Sequence, residues 1–248
     1  MNVAGEVTGK INEQYNNVEY YFKLNKTNEA LMSENVYLRS LLKQNYEAAD
    51  TAQGIVVDSI RVDSLLRFQK YKYYGARVVG SFISTQNNYL TIHRGSTQGI
   101  RKDMGVIGPL GIVGRVANVT DNFAGIMSAL SREHRFKAKL KKSGENGTIG
   151  WDGVSPMYVL LKDIPKSATI VKGDSVLTSE LSSIYPPNIM VGTVVGIVSD
   201  PSSNFFTIKL KTATNFLNVQ YVYVVDDLQK EERLTLEEGT KKLEEGIK

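Results

Sequence analysis

Residues 88–123, NYLTIHRGSTQGIRKDMGVIGPLGIVGRVANVTDNF, decide the fold class. Short β-branched and aromatic runs, Tyr89–Arg94, Gly105–Ile107 and Ile112–Val119, are separated by glycine and polar residues, the texture of strands joined by tight connections. Gly108-Pro109-Leu110-Gly111 reads as a turn, with proline presetting φ at the second position and glycine at the fourth. Gly105, Gly108, Gly111 and Gly114 recur every third residue and invite a phosphate-loop reading. That motif needs a strand before it and a helix after it, with the helix N-terminus facing the anion, and both flanks here are strand-like. The glycines are therefore read as room for a hairpin and for tight barrel curvature.

The same texture runs outward from Tyr73 to Asp226, with further strands near Ala76–Ile83, Gly125–Ser128, Phe136–Lys141, Thr148–Trp151, Tyr158–Leu161, Ser175–Thr178, Val191–Val198, Phe206–Lys211 and Val222–Val225. Many short strands over about 150 residues fit two small β-barrels better than one. Closure also removes free strand edges, which guards against aggregation. Upstream, Asn12 to Asn45 contains no Gly or Pro and carries a seven-residue pattern. Leu24, Leu31 and Leu38 take the d positions, and Tyr21, Asn28, Asn35 and Leu42 the a positions, of a coiled-coil seam. Asparagines at a weaken such a seam but satisfy each other when two helices pair in register, so a parallel homodimer is expected. An amphipathic helix docked on its own domain is the alternative.

The chain has 248 residues, 42% hydrophobic and 23% charged, a globular composition. Its 30 basic and 26 acidic residues, formal charge +4, are interspersed along the sequence, so no nucleic-acid partner is expected. With no cysteine, disulfides, thiol nucleophiles, iron–sulfur clusters and cysteine zinc sites are excluded together. No run of about eighteen apolar residues exists, and the opening MNVAGEVTGK lacks the basic-then-apolar order of a signal peptide.

Of the two histidines, His93 sits inside the strand-like NYLTIHRG and His134 in the charged turn SREHRF, and neither belongs to a recognisable motif. No Gly-x-Ser-x-Gly elbow appears, the acidic residues are scattered singly, and no calcium-loop spacing is present. The reading is therefore non-enzymatic, with no catalytic residues, metal or cofactor. Trp151, the lone tryptophan, is expected to pack beneath a turn. The stretch Ser182–Asn188 has two prolines for stiffness and Ile184 and Tyr185 to bury. Ile184, Tyr185, Pro186 and Pro187 are thus candidates either for a partner contact or for plugging a barrel end.

Four stretches, residues 88–123, 139–151 (KLKKSGENGTIGW), 160–198 (LLKDIPKSATIVKGDSVLTSELSSIYPPNIMVGTVVGIV) and 206–225 (FTIKLKTATNFLNVQYVYVV), resemble in order the rod shape-determining MreC family. Glu180 departs from that pattern, which usually has glycine after Thr178-Ser179, and Tyr185 stands where phenylalanine is common. The resemblance implies a mainly β fold, a coiled-coil helix followed by two small barrels like those of chymotrypsin-like proteases without their catalytic residues. Residues 1–11 are expected to be a flexible N-terminus, 12–46 the coiled-coil helix, which sits where that family has its own, and 47–72 a connector. The first barrel is expected from 73–119 with 205–227, the second from 120–204, and 228–248 is expected to be a disordered charged tail. Also implied are a single N-terminal transmembrane helix absent from this sequence and a location on the periplasmic, extracytoplasmic face of the bacterial inner membrane. The implied function is a scaffold of the cell-elongation complex that maintains cell shape by organising and activating peptidoglycan synthases. Its implied partners are penicillin-binding protein 2, RodA, MreD and MreB. The alternative is a periplasmic adaptor of an efflux or secretion system, although such adaptors usually have a helical hairpin and only one N-terminal helix is present here.

Overall fold

The structure, a computed structural model, describes residues 23–42, 45–48, 67–82, 86–198 and 202–246. It divides into two compact units, Met1–Leu41 and Leu42–Lys248. The first unit is a helix over residues 23–40 (α1). The expected continuation of this helix to residue 46 is corrected: Tyr46–Ala48 (β1) pairs antiparallel with Arg67–Gln69 (β2), so strand also enters the expected connector. Tertiary contacts override helix propensity there. Asn45 is fully buried, its side chain accepts from the Tyr73 hydroxyl at 3.0 Å, and its carbonyl accepts from the Lys70 N–H at 2.6 Å. The expected flexible residues 1–11 lie outside the described residues.

The first barrel comprises Tyr71–Phe82 (β3), Tyr89–Ile92 (β4), Gly105–Ile107 (β5), Ile112–Val119 (β6), Ala124–Ser128 (β7) and Tyr221–Asp227 (β14), closed in the order β14-β3-β4-β7-β6-β5. The second comprises Phe136–Leu140 (β8), Asn146–Gly150 (β9), Tyr158–Pro165 (β10), Ser175–Thr178 (β11), Met190–Val198 (β12) and Phe205–Thr212 (β13), closed as β10-β13-β12-β11-β8-β9. The chain is thus mainly β, as expected, and the whole second barrel is inserted between β7 and β14 of the first. Two strands change barrel relative to the expected boundaries. β7 belongs to the first, because the connection closed by the Thr120 N–H to Phe123 carbonyl bond (2.8 Å) is too short to leave β6. β13 belongs to the second, because it pairs with both β12 and β10.

Alternating residues fill each barrel. Leu90, Ile92, Val106, Val113, Val116, Ile126, Val222 and Val224 form the first core with Ile100 and Met104. In the second barrel, Leu140, Ile149, Leu161, Ile164, Ile208 and Leu210 are almost entirely buried.

The tail is also corrected: Lys230–Gly246 is a helix (α2), not disorder. Glu231 and Glu232 favour its N-terminus, and Glu237/Lys241 and Glu238/Lys242 are four apart. Its first turn is fastened to the first barrel. The Lys230 ammonium donates to the Asp103 carbonyl (2.6 Å), Arg233 pairs with Asp227 (3.0 Å), and Arg101 reaches Asp226 (2.8 Å) and Glu231 (3.9 Å).

Candidate functional site

Two regions concentrate the residues singled out from sequence. On α1, Leu24, Leu31, Leu38 and Asn35 are exposed, and Asn28, which is half-buried, shares their side of the helix. The Asn35 amide donates to the Leu31 carbonyl at 2.9 Å within the helix. Leu42 is exposed just past the helix, and Tyr21 lies outside the described residues. Sequence reading missed Tyr37 and Leu41, which are also exposed on this segment.

The second region is the junction of the barrels. The segment Ser182–Asn188 is not an open loop, which corrects the partner-contact reading of Tyr185 and Pro186: both are buried, while Ile184 and Pro187 are half-buried. Local hydrogen bonds pull it inward. The Thr178 hydroxyl donates to the Pro186 carbonyl (2.6 Å) and accepts from Ile189 N–H (2.8 Å), and the Ser182 hydroxyl accepts from Tyr185 N–H (3.1 Å). Tyr185 packs edge-on against Phe136, with ring centroids 4.9 Å apart. Its hydroxyl lies 2.8 Å from Nε2 of His134, which is fully buried. His134 Nδ1 has no hydrogen-bond partner among the described residues. Burial pushes the His134 imidazole down to about 3, with the Arg115 guanidinium adding to the effect, and burial pushes the Tyr185 phenol well above its usual value. Both groups are therefore neutral near pH 7. His93, by contrast, is exposed and stacks on Phe123, with centroids 5.0 Å apart.

Glycine makes the junction close. A Cβ on Gly105 of β5 would lie 2.2 Å from the Ile184 carbonyl oxygen, and one on Gly111 would lie 2.4 Å from that of Met190. The glycine periodicity that reads as hairpin and curvature thus also leaves room for the backbone of the second barrel. Thr214 ties the same place together, its hydroxyl donating to the Ile112 carbonyl at 2.7 Å. Near the junction, Trp151 is buried under its turn and donates to the Ser155 carbonyl (2.8 Å). This arrangement holds two barrels in one orientation. The histidine in it is bonded to a phenol that keeps its proton, and Arg115 is paired with the Asp103 carboxylate.

The family model described as rod shape-determining protein MreC, barrel core, matches residues 78–226. The cell shape-determining protein MreC of Listeria monocytogenes is 24% identical over 189 residues, covering 75% of this chain and 60% of that protein. The chain spans about three-fifths of the length of the curated relatives it matches. Among solved structures, MreC from Listeria monocytogenes superposes with a TM-score of 0.60 at 24% identity, covering 85% of this chain and 92% of that one. A chain in a complex between penicillin-binding protein PBP2 and MreC from Helicobacter pylori superposes with a TM-score of 0.51 at 21% identity, covering 64% and 99% respectively. These structures share the double-barrel fold, and the family match extends over more than half of the sequence: the chain belongs to the MreC family of rod shape-determining proteins.

Proposed function

We propose that this protein is a non-enzymatic scaffold of the bacterial cell-elongation complex, held at the extracytoplasmic face of the inner membrane by an N-terminal helix preceding this sequence, that organises and activates peptidoglycan synthases. The observation that carries this reading is the solved complex of PBP2 with MreC from Helicobacter pylori, together with membership of the same family. The elongation transpeptidase PBP2 is the direct partner, and RodA, MreD and MreB are the wider assembly. The fold suits such work. Closed barrels offer no strand edge for pairing, so partners are met through side-chain surfaces whose relative placement is fixed by the buried junction. Dimerisation through Leu24, Asn28, Leu31, Asn35 and Leu38, extended by Tyr21 and Leu42, brings two such bodies together. Membrane anchoring raises local concentration, so a short seam with buried asparagines is sufficient.

The test is titration calorimetry of the purified chain against the periplasmic part of PBP2 from the same organism. Saturable binding supports the scaffold reading. Absence of binding at concentrations where the partner stays monodisperse, together with a monomeric chain, would remove its basis.

A further inference from the structure

Barrel closure pools charge that the chain order disperses. The outward positions of the second barrel carry Lys137 and Lys139 on β8, Lys162 on β10, and Lys209 and Lys211 on β13. The only Asp or Glu within its six strands is Asp163, exposed at φ 67 in the bulge between Leu161 and Ile164. Lys139 is neutralised by Glu180. Lys137, Lys162, Lys209 and Lys211 are all exposed and have no carboxylate partner among the described residues.

Register makes these four lysines neighbours. Lys137 and Lys162 both lie opposite Thr148 of the intervening strand, so they are about 10 Å apart. Leu160 lies opposite Lys209, which makes Lys162 and Lys209 diagonal neighbours at about 7–8 Å. Lys211 follows on the same face of β13, and the Lys209 ammonium is held over the Tyr158 ring at 4.4 Å. These spacings match the screening length of roughly 8 Å at physiological salt, so the four fields overlap.

The wall ends in exposed apolar side chains. Ile197 and Val198 at the end of β12 and Phe205 at the start of β13 are 43%, 53% and 50% exposed, at the barrel end remote from the junction. Lysines that extend apolar stems toward a charged layer, beside an aliphatic and aromatic tip, match the interface of an anionic bilayer, where phosphates overlie an apolar interior. A single-stranded nucleic-acid site would instead place stacking aromatics along a basic groove.

We propose that this lysine wall and its apolar tip dock the second barrel on an anionic lipid surface. This contact is separate from the scaffold reading, because it needs neither PBP2 nor the α1 seam. It is tested by flotation of the 248-residue chain with vesicles of phosphatidylcholine, with and without phosphatidylglycerol. The chain floats only with phosphatidylglycerol, and less as salt rises. The triple substitution Lys162→Gln, Lys209→Gln, Lys211→Gln lowers partitioning about 100-fold, from roughly fivefold per lysine at a charged surface. Phe205→Ser weakens it further, while both variants keep the parent's thermal midpoint because every changed side chain is exposed. No flotation with phosphatidylglycerol, or flotation of the triple variant equal to the parent's, overturns the proposal. So does loss in the triple variant of binding to an acidic protein or to duplex DNA when the parent never floated.

Discussion

Acidification should loosen the barrel junction through His134. This side chain is 0% exposed and its pKa is lowered from 6.5 to about 3. Between about pH 3 and 6.5 the unfolded chain therefore binds a proton that the folded chain refuses. Stability contributed by the neutral imidazole is complete above the unfolded value and is lost as pH falls toward the folded one. At about pH 5 the loss is about 2 kcal/mol, and it approaches about 5 kcal/mol once the folded form is also protonated. Asp174 and Glu180 also contribute acid sensitivity. The Lys142 side chain and the Val171 N–H hold the first below the usual carboxylate range, and the Lys139 side chain holds the second there. Both are lost at lower pH than the histidine, so about pH 5 isolates His134. Urea unfolding followed by the fluorescence of the buried Trp151 measures the effect, comparing about pH 7.5 with about pH 5 in the parent and in His134→Gln, whose amide can still meet Tyr185. The parent should lose about 2 kcal/mol more than the variant. Equal losses in the two proteins would refute the reasoning, because the acid sensitivity would then come from other groups.

Gly105→Val places a Cβ 2.2 Å from the Ile184 carbonyl oxygen, a backbone atom with little room to move, and should cost about 2–3 kcal/mol in the same urea assay. Gly239→Ala acts in the opposite direction. Nothing lies within 4 Å of the added Cβ, so α2 should gain about 1 kcal/mol of helix propensity, read as higher helical circular dichroism and slower amide exchange. Changing Asn28 and Asn35 together to leucine should tighten self-association and broaden the range of oligomers in sedimentation equilibrium, and weaker association than the parent would count against the coiled-coil seam.

Local patterns carried the strands because alternation is written residue by residue, and residues 88–123 place β4, β5 and β6 within a residue or two of where they stand. What those patterns could not carry was closure. Whether β13 joins the first barrel or the second depends on pairings with β10, some 45 residues earlier, and a strand's own alternation is the same in either. The α2 helix was hidden for a related reason. Its sequence has too few apolar residues to announce a packed face, and its anchors are Asp103, a residue distant in sequence from Lys230, and the barrel strand ending at Asp227.

The junction shows how locally ordinary residues combine. Gly105 and Gly111 look like turn and curvature residues, the Ser182–Asn188 stretch looks like an open loop, and His134 looks like part of a charged turn. Only when the glycines admit the opposing carbonyls of Ile184 and Met190 do Tyr185 and His134 become buried against each other. That places the control of barrel orientation in a few close contacts. A Cβ at Gly105 and a proton on His134 should therefore disturb the placement of the outer faces in similar ways, although neither residue lies on those faces. On the scaffold role proposed above, binding surfaces must be held in register, and in this fold the register depends on keeping His134 buried and neutral at that junction.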